Sequence, residues 1–325
     1  MSNLVEMLTY PRKASTQMEE LFIHKYIDSI GGMKKDSFGN RIIRIGNDVD
    51  WCFTSHTDTV HHDCSKRQEV YTDAGYAYKL DGEPLGGDDT TGVWLMLNLI
   101  HDRFPGLYIF HREEEIGGRG SRYIASSTPE LMDGIRKVIS LDRKGYGDVL
   151  THQSGIRCCS YEFAYEIARQ LGGEYKPSQR GVFSDSANYD YFIPECTNLS
   201  IGYFNAHSSQ EIQDLVFAED LCRRMKRVNW ERLPVFRDAN EFDDWRSSTR
   251  GQKRTEKKKP RYTEQLGEVT WNYYPDRGWV SKEPKKKKKT KKKKKEKKTD
   301  FDMFYSFGGY NDDDDDNPYD NYWWW

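Results

Sequence analysis

Cysteine is scarce and poorly spaced for cross-linking. The six thiols, at positions 52, 64, 158, 159, 196 and 222, include no C-x-x-C pair, and the adjacent Cys158 and Cys159 would make a poor structural disulfide. A disulfide framework and a thiolate zinc site are both excluded, and a reducing compartment fits best. Long apolar runs are missing as well. None approaches the roughly 20 residues of a membrane span, and Met1-Ser2-Asn3-Leu4-Val5-Glu6 is not a basic start leading into an apolar stretch. The expectation is a cytoplasmic protein. An excess of one charge is lacking too: the net charge is −2, but it hides 12 lysines between Lys285 and Lys298 beside the acidic run Asp312 to Asp316.

Apolar periodicity is present up to about residue 235 and fades beyond Arg237. Residues 1–235 therefore read as one globular domain and 236–325 as a low-complexity tail, disordered, with a polylysine block at 285–298 and an acidic, aromatic end at 300–325. Helical spacing marks Ser15 to Ile30, with Met18, Leu21, Phe22, Tyr26, Ile27 and Ile30 on one face before Gly31-Gly32. Asp36 to Asn40 is a turn leading into the strand Arg41–Ile45, and Trp51–Ser55 is a second strand. Between Val70 and Leu85 a turn is expected at Asp81-Gly82. An apolar helix spans Val93–Ile100, Leu107–Phe110 is a strand, and a helix opens at Ser121. Strands at Lys137–Leu141, Asp148–His152 and Cys196–Ile201, and helices at Ser160–Leu171 and Phe217–Trp230, complete the pattern. Such alternation predicts an α/β fold: a three-layer domain whose mixed, mostly parallel sheet is flanked by helices.

Chemistry-bearing residues recur at the edges of these elements. Three consecutive carboxylates, Glu113-Glu114-Glu115, follow the strand Leu107–Phe110 and precede Gly117, Gly118 and Gly120. Like charges gathered at a strand end repel one another and raise their own pKa values unless a cation or shared proton compensates. His56 and Asp58 follow the strand Trp51–Ser55; Asp88 and Asp89 precede a helix in Gly86-Gly87-Asp88-Asp89-Thr90-Thr91-Gly92; Asp142 ends a strand; His207 follows the last one. Singly, each is explained as well by a solvated loop or a helix cap. Together, two histidines and several carboxylates without cysteine suit a hard-to-borderline divalent ion such as Zn²⁺, Mn²⁺ or Co²⁺, and one aspartate shared between two ions gives a two-metal site.

The series Ser55-His56-Thr57-Asp58, Gly86-Gly87-Asp88-Asp89, Glu113-Glu114-Glu115-Ile116-Gly117, Leu141-Asp142 and Ala206-His207-Ser208 resembles the co-catalytic di-zinc metallopeptidases. That superfamily includes bacterial leucyl aminopeptidases, tetrahedral aminopeptidases, peptidase T and glutamate carboxypeptidases. Tyr10-Pro11, Glu19-Glu20 and Asp36 to Asn40 match its lead-in, and the likeness spans about residues 4 to 231. The resemblance implies five metal ligands, His56, Asp88, Glu115, Asp142 and His207, for two divalent ions, with Zn²⁺ foremost and Mn²⁺ or Co²⁺ as alternatives. It further implies that Asp88 bridges the ions across a cis bond to Asp89, that Asp58 orients His56, and that Glu114 is the general base acting on a water held between the metals.

Only 31 residues separate His56 from Asp88, and 64 separate Asp142 from His207. Set against the insertions of the tetrahedral and peptidase T types, these spacings leave a catalytic domain without a lid, on the leucyl aminopeptidase plan. Aspartate at 142 leans toward an aminopeptidase or dipeptidase. Hydrolysis of N-acyl amino acids and a non-catalytic binding protein using the charged tail are the alternatives. Arg112, Arg119, Arg143 and Arg180 are candidates for a substrate carboxylate, while Asn188, Tyr189 and Tyr191 are positional candidates for substrate contacts. His61 and His62 receive no role. The lysine block reads as a solubilising segment, with nucleic acid or an anionic surface as the alternative partner.

Overall fold

A computed structural model describes residues 3–239 and, beyond them, the backbone of three strands. The chain divides into two compact units, Met1–Lys258 and Lys259–Trp325. The first contains helices α1 (Leu4–Leu8), α2 (Gln17–Tyr26), α3 (Gly87–His101), α4 (Arg119–Ser127), α5 (Tyr161–Leu171) and α6 (Leu215–Met225). Its strands are β1 (Lys34–Lys35), β2 (Arg41–Ile45), β3 (Trp51–His56), β4 (Tyr71–Asp73), β5 (Tyr76–Tyr78), β6 (Gly106–His111) and β7 (Lys137–Arg143). They continue with β8 (Asp148–Leu150), β9 (His152–Gln153), β10 (Ile156–Arg157), β11 (Lys176–Ser178), β12 (Glu195–Ser200), β13 (Tyr203–Phe204) and β14 (Ile212–Asp214).

Eight strands form the central sheet in the order β1-β2-β6-β3-β7-β12-β8-β11. The middle four, β6, β3, β7 and β12, run parallel, and β2 joins β6 antiparallel. Strands β3, β6 and β12 are buried along their whole length, as parallel strands covered on both faces must be. Successive side chains go to opposite layers. Phe53, Tyr108, Phe110, Ile139 and Leu141 join the larger core with α1, α2, α3, α5 and α6. Cys52, Leu107, Ile109, Val138 and Cys196 join a smaller one with Ile124 and Ala125 of α4. The three-layer α/β expectation is met.

Local chemistry sets the element ends. Thr16 caps α2 through Glu19 N, Ser160 caps α5 through Phe163 N, and Asp214 caps α6 through Phe217 N at 2.8 Å. Helix α5 stops at Gly172, whose φ of 68° is left-handed. The expected β1–β2 hairpin forms around Asp36, whose Oδ1 accepts from the amides of Phe38, Gly39 and Asn40. Elsewhere the boundaries move. Helix α1, capped by Asn3, is too short to leave a periodic trace. The expected turn at Asp81-Gly82 is present, with Asp81 Oδ1 accepting from Glu83 N, and a further turn at Ala74-Gly75 joins β4 to β5; α4 opens at Arg119, α6 ends at Met225, and α3 begins six residues before Val93.

The start of α3 is kinked, with Asp88 and Asp89 at non-helical angles, and the regular helix that follows packs closely on β7. At Gly92 a Cβ would fall inside the Leu141 carbonyl oxygen and the Asp89 carboxylate, so only glycine lets α3 lie this close to β7. In the second unit, β15 (Tyr262–Leu266), β16 (Val269–Tyr274) and β17 (Gly278–Lys282) form an antiparallel sheet. The sequence reading counts this stretch in the disordered tail at 236–325; paired strands stand there instead, and the aromatic and β-branched content suits them. The polylysine block at 285–298 and the acidic, aromatic end at 300–325 lie outside the described residues. No helix among the described residues is long and apolar enough to cross a membrane.

Gly92→Ala is expected to destabilise the domain by about 1–3 kcal/mol or more, because backbone rather than a flexible side chain must move. Chemical denaturation measures this as a lower midpoint at unchanged slope, and an unchanged midpoint would contradict the packing.

Candidate metal centre

The parallel strands carry their acids and histidines to one edge of the sheet. His56 is the last residue of β3 and pairs in register with His111, the last of β6. The acidic loop follows His111, Asp142 lies near the end of β7, and the N-terminal turn of α3 supplies Asp88. His207 comes from the connection between β13 and β14, and its φ of 63° is left-handed, a region uncommon for residues with a side chain though histidine is among those that enter it. Five segments far apart in the chain thus converge.

Asp88 stands at the centre. One of its oxygens, Oδ1, lies 3.1 Å from His56 Nε2, and the other, Oδ2, lies 3.3 Å from His207 Nε2. Asp142 Oδ1 is 3.6 Å from His56 Nε2, and Glu115 Oε1 is 2.9 Å from His207 Nε2. Three groups of potential ligand atoms result, each within 4.8 Å: His56, Asp88 and Asp142; Asp88, Glu115 and His207; and His56, Glu114 and Glu115. The first two share Asp88. The peptide bond between Asp88 and Asp89 is cis.

Carboxylates outnumber cations here, and the pKa shifts register the imbalance. Burial, reinforced by Asp142 and Glu115, holds Glu114 well above the ordinary glutamate range, although His56 pulls it back. Burial and the Asp88 charge do the same to Asp142. Burial lowers the affinity of both imidazoles for protons, but carboxylate neighbours more than reverse this. Asp142, Asp58 and Asp88 hold His56 well above the imidazole range, and Glu115 and Asp88 push His207 up to about 11. Asp88 is itself buried, yet hydrogen bonds to His207 and His56 bring it below the usual aspartate range. The carboxylates of the cluster thus favour protonation of the imidazoles and of one another.

Surrounding groups fix the loops. His56 Nδ1 lies 2.9 Å from the carbonyl oxygen of Asp58 and 3.5 Å from its carboxylate. That carboxylate instead accepts from the amides of Glu114 and Glu115, at 3.1 Å each. Asp89 turns away from the centre and accepts from Ser55 Oγ and from the amides of His56 and Gly92. Arg12, fully buried, donates to the carbonyl of Thr57 and to Thr90 Oγ1, joining the His56 loop to α3, and its guanidinium lies over Phe22. Glu211 accepts from the amides of Gly86 and Asp88. The sequence reading missed Arg12 and Glu211, and also Asp185, which lies 3.0 Å from His111 Nδ1. A buried charge carries no mark in the sequence unless a motif surrounds it.

Several candidate substrate contacts are already engaged. Arg112 is buried, its Nε 2.7 Å from Glu19 and its Nη1 2.6 Å from Glu20, so it braces α2 and does not face a ligand. Arg119 pairs with Glu113 at 2.6 Å and Arg143 with Asp148 at 3.1 Å, while Arg180 is exposed. Tyr189 is fully buried with its hydroxyl 2.7 Å from His111 Nε2. Tyr191 donates to the Ala125 carbonyl, and Asn188 donates to Ser121 Oγ and the Gly118 carbonyl. His61, given no role from sequence, is buried beside Gly86, and burial with Lys79 and Arg12 nearby lowers its pKa to about 4. His62 is exposed and meets Glu83.

No family model and no curated protein matches this chain. Solved structures do. The chain is similar to the aminopeptidase PepT of Bacillus cereus at 14% identity and a TM-score of 0.56, covering 70% of this chain and 96% of that one. A tripeptidase from Staphylococcus aureus gives 15% identity and a TM-score of 0.57, covering 69% and 95%. The TET1 peptidase of Pyrococcus horikoshii gives 15% and 0.54, covering 69% and 98%. At these identities the likeness is one of fold, and the fold is the one that the resemblance implied.

The raised imidazoles set a pH dependence. For His207, whose pKa rises from 6.5 to about 11, the added stability is complete below 6.5 and is lost as pH climbs through 11. Chelator-treated protein should therefore lose stability across that window, while stabilisation by an added divalent ion should grow over it, because the ion displaces those protons. Thermal unfolding with and without ion measures both trends; parallel pH profiles would show that the imidazoles do not meet the ion.

Proposed function

We propose that the chain is a metal-dependent exopeptidase of the aminopeptidase or dipeptidase kind, with residues 1–235 as its catalytic domain. The observation that carries this reading is the Asp88 carboxylate, whose two oxygens face two different imidazoles, each accompanied by a further acid. Two imidazoles and three carboxylates without a thiolate suit two borderline divalent ions, Zn²⁺ foremost, with Mn²⁺ and Co²⁺ as alternatives. The excess of buried carboxylate argues the same way, since two divalent cations offset charge that is otherwise held by protons. His56, Asp88 and Asp142 would hold one ion, and Asp88, Glu115 and His207 the other. The aminopeptidase and tripeptidase of like fold lend the proposal support, and six unpaired cysteines agree with a reducing, cytoplasmic setting.

When bound, such an ion pair supplies a water activated at neutral pH and charge to stabilise the developing oxyanion. The chain supplies the proton handling. Glu114, beside the ligands and raised above the usual carboxylate range, takes a proton from the attacking water and delivers it to the departing amine as the peptide bond breaks. Asp58 fixes the amide of Glu114 and thereby the reach of its side chain. A general base needs this placement more than any particular resting pKa, because a bound cation would draw the pKa down again.

Aminoacyl anilides with a free or an acetylated amine, assayed with and without chelator, test the proposal. The expected result is cleavage confined to free-amine substrates, abolished by chelator and restored by Zn²⁺. Cleavage of acetylated substrates would place the chain among N-acyl amino acid hydrolases, and binding of metal without any turnover would leave a binding protein. Glu114→Ala is expected to keep its metal and lose about 10²–10⁴-fold or more in kcat, the usual worth of a positioned acid–base group; undiminished turnover would remove Glu114 from the mechanism.

A further inference from the structure

The two histidines of the centre are each followed by a buried carboxylate that performs the same task. Asp58, two residues after His56, accepts from two successive backbone amides of the acidic loop. Glu211, four residues after His207, reaches across to the other ligand loop. Its Oε2 accepts from the Gly86 amide at 2.8 Å and its Oε1 from the Asp88 amide at 3.1 Å. It is 2% exposed.

The residue between these amides explains the fit. Gly87 has no side chain, and a Cβ there would lie 3.2 Å from Glu211 Oε1 and 3.2 Å from Tyr203 Cβ. The carboxylate therefore approaches the backbone as closely as a missing side chain allows. Gln213, two residues on, accepts from Thr91 Oγ1 at 2.5 Å and donates to the Ile201 carbonyl at 3.2 Å, so the segment after His207 holds α3 through Glu211 at Asp88 and through Gln213 at Thr91. A carboxylate offers two acceptors in one plane, which a Gln side chain cannot match: its amide nitrogen would point a donor at one of the two backbone donors.

We propose that Glu211 is a positioning residue for the shared carboxylate: it fixes the backbone of Gly86 to Asp88 so that both Asp88 oxygens face the imidazoles, and it joins the His207 loop to the Asp88 loop. This rests on the metal reading above. Loss of a group that orients a ligand typically costs about 10–100-fold in metal affinity. A purely structural acid would cost only stability. Glu195 is the comparison, being equally buried and accepting from Ser160 N, Ser160 Oγ, Phe236 N and Arg237 N at the opposite edge of the sheet.

The experiment measures Zn²⁺ affinity by competition with a chromophoric chelator, together with kcat, KM and the stability of the chelated protein. Wild type, Glu211→Gln, Gly87→Ala and Glu195→Gln are compared. Glu211→Gln is expected to bind Zn²⁺ about 10–100-fold more weakly and to lose kcat with KM little changed. Gly87→Ala, which crowds the same carboxylate, should shift affinity in the same direction, and it serves if Glu211→Gln fails to fold. Glu195→Gln should lower stability and leave affinity alone. If Glu211→Gln and Gly87→Ala hold Zn²⁺ as tightly as a metal-binding wild type, or if Glu195→Gln weakens binding as much as they do, Glu211 is only structural. A wild type that binds no Zn²⁺ overturns the metal reading and this inference with it.

Discussion

The Asp88 carboxylate facing two imidazoles at once is the contact on which the remainder of the molecule's organisation depends. Holding it there means burying several like charges at one edge of a sheet, a costly arrangement in a medium that screens poorly. Protons relieve part of the cost, as the upward shifts at His56, His207, Glu114 and Asp142 record. Divalent cations would relieve it more completely, and the donor types present are those that such ions prefer.

Around that contact, the fold spends its polar interactions on loops. The parallel strands stop together at one edge, where open α/β sheets place their sites. Several of the loops that carry the candidate ligands are fixed by a further buried polar group: Asp58 on the acidic loop, Glu211 on the Asp88 loop, Asp89 on the end of β3, and Arg12 between β3 and α3. A backbone amide held by a buried carboxylate is a strong, short-range constraint. It sets side-chain positions without asking the ligands to rely on packing alone.

Much of this was legible in the chain. Alternation of β-prone and helical stretches gave the layers and the succession of strands and helices along the chain, because buried parallel strands need apolar runs and amphipathic helices need a 3.6-residue period. The motif residues at 56, 58, 88, 114, 115, 142 and 207 stood out by type and by their place at element ends. Boundaries were less legible. Helix α3 begins at Gly87 with Asp88 and Asp89 at non-helical angles, a kinked start that no apolar period marks, and α1 is a short helix capped by Asn3. The three strands beyond residue 260 were read as part of the tail, although Val269, Trp271 and Tyr273 alternate there with Thr270 and Asn272.

What the sequence determined by itself was the inventory: which residues can donate to a cation, and that they follow strands or precede helices. It could not say which polar residues were spent on the scaffold. Arg112, Tyr189 and Asn188 read as candidate substrate contacts, yet Glu19, His111 and Ser121 engage them; Glu211 and Arg12 read as ordinary, yet they lie buried against the ligand loops. Only the tertiary structure decided this, because the partner of a buried polar group is chosen by what packs beside it, and in this fold those neighbours lie scores of residues away along the chain.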